Sequence, residues 1–400
     1  MAVEWTPAPD KRAAQDVAFT RTAFAGATTI FVVFGTTASL YGPLLVTFAH
    51  RFSVSLPAAG AVVSVHFVGA LCGVPLAWAA LQRYRGNAVL AGALTTTALG
   101  AVGASQARGF DELLASVVVI GLGFGCTDFS LNSLLVRASA VGRAHRLSVA
   151  NAGYSIGSVV GPLLVVVARP AHYGLIFAAV GFSALALTTS TRRIVAPRTA
   201  RTHALARHPR RRAVLGVFVT AYVLYVATES SAAAWIAPQL HRVGYSQSIG
   251  AVVTAGFWLS LAIGRLLAGP VHQRVSDQRL VLIGLAAAVP LALVAAVDSL
   301  APAAYPLVGL SLALVYPMGL IWFTNLNPGD GDGLAILVLT MMAGGVIGPA
   351  LTGAAVSIAG VRAVPVCVAC LAAADLAVFF VARQFRAPTG SGVGLADLAD

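Results

Sequence analysis

The chain has 400 residues, of which 58% are hydrophobic and only 10% charged, with a mean hydropathy of +0.85. Soluble domains carry about 25% charged residues, so a water-soluble fold is excluded. The net charge of +12 lies between apolar runs rather than on one face, which speaks for membrane topology and against a nucleic-acid partner. Cys72, Cys126, Cys367 and Cys370 all fall inside apolar runs, where neither a disulfide framework nor a zinc site is expected. The Cys367-x-x-Cys370 spacing reads as small-residue helix packing.

The opening MAVEWTPAPDKRAAQD is polar and carries acids, unlike the basic region of a signal peptide, so the first span is expected to be retained. Apolar runs bounded by charge, Pro or Gly fall at 22–49, 57–81, 87–107, 112–136, 147–168 and 172–191. After a polar segment they resume at 213–238, 248–271, 279–297, 303–323, 334–359 and 361–382. Each is long enough for a helix that crosses a bilayer, which takes roughly 20 residues. With a cytoplasmic N-terminus, Arg51, Arg108, Arg169, Arg242 and Arg362 lie outside and the other 21 of 26 basic residues lie inside, the asymmetry of the positive-inside rule. The reading is a multi-pass inner-membrane protein with both termini cytoplasmic. Residues 1–21 and 383–400 are its tails, 22–191 and 213–382 its helical bundles. Residues 192–212, with eight arginines, form the cytoplasmic linker.

The two halves echo one another. Gly157, Gly161 and Pro162 of the fifth span recur as Gly344, Gly348 and Pro349 of the eleventh, each 187 positions later. The spacing predicts an all-α integral membrane protein with 12 transmembrane helices in two pseudo-symmetric six-helix bundles. Glycines four apart let backbones approach, and the following proline frees a carbonyl and bends the helix. Gly157, Gly161, Pro162, Gly348 and Pro349 are therefore candidate gating positions; tight packing is the plainer alternative.

Four stretches carry a family resemblance. GLGFGCTDFSLN places Asp128 four residues before Asn132, and GRAHRLSVANAGYSIG places Asn151 at the entry to the fifth span. YVATESSAAAWI is followed by FWLSLAIGRLLAGPVHQR with its Gly264-Arg265 pair, and the tenth span holds Tyr316-Pro317. These resemble the fucose:proton symporter branch of the major facilitator superfamily, over nearly the whole chain. The resemblance implies the major facilitator fold, secondary active transport of a small organic solute, and alternating access between the halves. The chain departs from that branch at Gly42, within SLYGPLL, where the sugar symporter has an acid. It departs again after the second span, where Gln82 and Arg83 occupy the acid and arginine positions of the GxxxDRxGR signature.

Asp128, Glu229 and Asp375 lie deep in apolar runs. An ionised acid at the bilayer centre costs about 2.5–3.5 kcal/mol, so such groups usually face a cavity and do work. Asp128 and Glu229 are the candidate proton-coupling residues; Asp375 is unassigned. Asn132, Asn151, Ser155, Tyr222, Tyr225 and Tyr316 are candidate substrate contacts. Asn132 shares a helix face with Asp128, Tyr222 and Tyr225 precede Glu229 by seven and four residues, and Asn151, Ser155 and Ser158 form a stripe. Arg83 and Arg265 are candidate gating residues. Trp235 reads as an interfacial anchor, and His66, beside Phe67, as packing.

No GxxxxGK[ST] or HExxH occurs in a span, so neither ATP drive nor an enzyme is expected, nor any cofactor or metal. The expected partners are a small-molecule substrate, a proton and the lipid bilayer, with the chain a monomer. Proton-coupled movement of a polar or sugar-like solute is the favoured function. A proton-driven multidrug or metabolite efflux pump is the alternative.

Overall fold

The computed structural model describes residues 18–19, 21–137, 143–195, 209–267, 271–327 and 331–385. The sequence-defined tails fall mostly outside these residues, as does the middle of the linker. The N-terminal half contains α1 (Arg21–Arg51), α2 (Leu56–Arg83), α3 (Gly86–Gln106), α4 (Phe110–Arg137), α5 (Arg143–Ala168) and α6 (Tyr173–Thr191). The C-terminal half contains α7 (Pro209–Arg242), α8 (Gln247–Leu266), α9 (Asp277–Val294), α10 (Ala301–Leu312), α11 (Val315–Leu326), α12 (Gly331–Ala359) and α13 (Ala363–Ala382). Among the described residues, eleven stretches are long and apolar enough to cross a membrane, and Ala152–Ala168 within α5 is a shorter twelfth. A two-residue antiparallel pair ties the linker to the chain start, with β1 (Ala18–Phe19) against β2 (Ile194–Val195).

The tenth span is one membrane crossing made of two helices. Pro317 has no N–H for the Ala313 carbonyl and its ring crowds that carbonyl, so α10 stops at Leu312 and α11 restarts at Val315. Two helix starts are set by serines: Ser55 accepts from the Ala58 N–H, and Ser246 from the Ile249 N–H, both at 3.2 Å.

The repeated glycines hold each half together. A Cβ on Gly157 would lie 2.0 Å from the Val32 carbonyl oxygen of α1, and one on Gly348 would lie 2.3 Å from the Ala227 carbonyl oxygen of α7. The fifth span of the first half thus crosses α1 as α12 crosses α7, which is the duplication made physical. The halves meet through α2 on α12, α5 on α8, and α1 on α7. At the end bearing the α1–α2 and α7–α8 loops, one apolar cluster runs across both halves and includes Leu44, Val62, Trp235 and Val356.

Candidate functional site

The α1–α2 end is closed by side chains that no local signal reveals. Gln247, the first residue of α8, donates to the Pro43 carbonyl (3.0 Å) and to the Thr47 hydroxyl (2.8 Å) on α1. One residue before Pro43, Gly42 lets α1 cross α7 so closely that a Cβ there would lie 2.3 Å from the Ala233 carbonyl oxygen. The position read as a missing acid is thus a place where a side chain cannot fit. Trp235 is not the interfacial anchor expected from its place in the span: it is 0% exposed. Its indole N–H donates to the Pro349 carbonyl at 3.3 Å, and its ring fills the space over Gly60 of the opposite half, where a Cβ would stand 2.6 Å away.

Below this closure, groups from both halves surround a cavity of about 40 Å³, lined by Ser39, Phe67 and Tyr154 on one side and Glu229, Ser230 and Trp258 on the other. That volume holds roughly three waters and no sugar-sized solute. On the C-terminal side four polar groups interlock. The Tyr225 hydroxyl donates to Glu229 Oε2 at 2.5 Å. Arg265 Nη2 reaches both Glu229 Oε2 and the Tyr225 hydroxyl at 3.1 Å. The guanidinium carbon sits 5.6 Å from the Tyr316 ring centroid, a cation–π contact, and that ring stacks on Tyr225 with centroids 6.3 Å apart. Tyr222 donates to the Tyr316 carbonyl at 2.6 Å, anchoring the first turn of α11 just beyond the break that Pro317 causes.

On the N-terminal side Asn132 Nδ2 donates to Asp128 Oδ1 at 3.1 Å, across one helical turn. Phe34, Phe124 and Tyr154 pack around this carboxyl. Asp128 and Arg265 are each 18 residues from the starts of α4 and α8, helices that enter from the same end, so both lie about 27 Å along. Tyr154 and Tyr316, from facing halves, are each within electrostatic reach of Asp128, Glu229 and Arg265.

The other sequence-derived candidates are more scattered. Ser155 is half-buried on α5, and the side chain of Asn151 lies outside the described residues. Tyr222 is fully buried and positions α11 rather than lining the cavity. Gly157, Gly161, Pro162, Gly348 and Pro349 sit at crossings within each half. Arg83 is exposed at the end of α2, apart from the cluster. Arg265 joins Glu229 in an ion pair. His66 is enclosed by Phe67 and Phe124 and bonds the Tyr41 hydroxyl at 3.1 Å. Asp375 is buried on α13 with no hydrogen-bond partner among the described residues. Tyr154 was legible in principle, since it lies three and four residues from Asn151 and Ser158 on the same stripe.

A family model described as Major Facilitator Superfamily matches residues 27–328. The chain belongs to the major facilitator superfamily. No curated protein matches it significantly in sequence. Among solved structures, a bacterial homolog of the human lysosomal transporter Spinster, inward-facing and unoccupied, aligns with TM-score 0.75 at 18% identity, covering 92% of this chain and 98% of that one. A D-xylose–proton symporter aligns with TM-score 0.73 at 14% identity, over 92% and 98% of the two chains. The transporter FucP in its outward conformation aligns with TM-score 0.62 at 19% identity, over 92% and 100%. This membrane protein is thus a secondary transporter rather than an enzyme, and its substrate is a small molecule.

Proposed function

We propose that this transporter moves a small polar, sugar-like solute by alternating access and couples that movement to a proton carried on Asp128 and Glu229. The observation that supports this most is the charge count of the buried acids: Arg265 pairs with Glu229 at 3.1 Å, while Asp128 is met by the Asn132 amide. Arg265 can balance one carboxylate; in a low-dielectric site the other is best balanced by a proton. Closure at the α1–α2 end and opening at the other would expose that proton to one compartment at a time. Moving one charge through 100 mV supplies about 2.3 kcal/mol, roughly fiftyfold in solute gradient. Asn132 and Ser155 supply hydrogen bonds for solute hydroxyls, Tyr225 and Tyr316 supply ring faces, and Pro162 and Pro349, at matching positions inside their helices, give each half a point at which to flex. The basic loops support a cytoplasmic side for the α2–α3 turn, the linker and both termini, in an inner membrane.

Proton-driven export of metabolites or drugs is the second reading, favoured by the aromatic wall that Phe67, Tyr154 and Trp258 give the cavity. Proton movement into proteoliposomes, scanned over sugars and small drugs, separates the two by solute class. For the active solute, Asp128→Asn is expected to lower the solute-driven proton flux at least roughly tenfold, because an amide does not take up the proton. An unchanged flux would assign Asp128 a structural role only.

A further inference from the structure

The helices α2 and α3 both pack tightly on α4 but barely touch one another. Their glycines draw each onto α4: a Cβ on Gly73 would stand 2.4 Å from the Leu122 carbonyl oxygen, and one on Gly100 would stand 2.6 Å from the Ile120 nitrogen. Between them a groove of about 360 Å³ is left, walled by Leu76 and Ala80 of α2, Tyr84 just past its end, and Ala88 and Gly92 of α3, with Cys126 of α4 on its floor. Gly92 opens it further, since a Cβ there would meet nothing within 4 Å. The surrounding outer surface carries exposed Leu76, Trp78 and Leu99, the composition of a face turned to lipid.

The groove runs along α2 from Leu76 to Tyr84, about 12 Å. That matches one leaflet of a hydrocarbon core about 30 Å thick. It is too short to seat a neighbouring transmembrane helix, which would need the full thickness. At its mouth, in the α2–α3 turn, Arg83 and Arg85 flank Tyr84 and all three are exposed. An apolar slot one leaflet deep with two cations at its headgroup end complements one kind of molecule. We propose that this groove is a binding site for an anionic phospholipid, with an acyl chain in the groove and the phosphate held by Arg83 and Arg85.

Purified protein in a zwitterionic detergent, titrated with dioleoyl phosphatidylglycerol and followed by thermal unfolding, tests the site. Phosphatidylglycerol is expected to bind more tightly than dioleoyl phosphatidylcholine, and sn-glycerol 3-phosphate alone is expected to have no effect. The R83Q/R85Q double variant, altered only on the surface, is expected to bind phosphatidylglycerol roughly thirtyfold more weakly, about fivefold for each basic residue removed. Gly92→Leu, for which there is room, is expected to weaken binding of both lipids by filling the slot. Equal affinity for the two lipids, an R83Q/R85Q variant that binds phosphatidylglycerol as wild type does, or a Gly92→Leu variant unchanged toward both lipids would overturn the proposal. So would an effect of glycerol phosphate equal to that of the whole lipid.

Discussion

Gly42→Val is expected to prevent the two halves from closing at the α1–α2 end. The new side chain would begin 2.3 Å from the Ala233 carbonyl oxygen and 3.1 Å from that of Ala234, and backbone atoms have nowhere to go but outward with their helix. Overpacking of this kind costs about 1–3 kcal/mol, which lowers the closed population between fivefold and roughly 150-fold; contact with backbone places it at the upper end. Moving α1 from α7 also separates Pro43 and Thr47 from Gln247. Gln247→Ala removes those two bonds without a clash, at about 1 kcal/mol each, and is expected to act in the same direction but less strongly. The reporter is a cysteine at Ala38, which lines the central cavity, in a chain whose four native cysteines are replaced. Labelling by an impermeant maleimide from the α1–α2 side should be slow in the parent, faster in Gln247→Ala and fastest in Gly42→Val. Equal rates in all three would mean that this crossing is not the closure.

The second large effect concerns Glu229 and Arg265. Their side chains are 14% and 26% exposed, so little water screens the pair. Removing one partner of a buried pair leaves an uncompensated charge and costs about 3–5 kcal/mol, here the lower figure given the residual exposure. Glu229→Gln and Arg265→Gln should each lower the thermal-unfolding midpoint substantially. The double variant should recover most of that loss, because the two amides can bond each other and leave no buried charge. A double-variant loss equal to the sum of the singles would show that the 3.1 Å contact contributes no coupling energy.

The spans were legible because hydropathy over some 20 residues is a strong, local signal, and the bundle symmetry was legible because the same glycines and proline return 187 positions later. The break between α10 and α11 was within reach, since Pro317 forbids one helical bond, although the run at 303–323 reads as continuous. The site was legible only in parts. The acids stand out as charges in apolar runs, and the Tyr225–Glu229 contact spans one helical turn. Arg265, by contrast, reads as a helix-end residue, because its partner Glu229 is 36 positions away. Gln247 meets Pro43 across 204 positions, and nothing local marks it. Trp235 near a helix end suggests an interface in any single helix. Only the packing of α2 and α12 around it buries the ring.

Whether a carboxyl beside Arg265 carries the coupled proton is read out by comparing solute exchange with proton-driven accumulation in proteoliposomes holding Glu229→Gln. Exchange needs only the loaded carrier to cycle, whereas accumulation also needs the proton to be released. Exchange is expected near the wild-type rate, with accumulation reduced to equilibrium. Accumulation at wild-type levels in Glu229→Gln would contradict it.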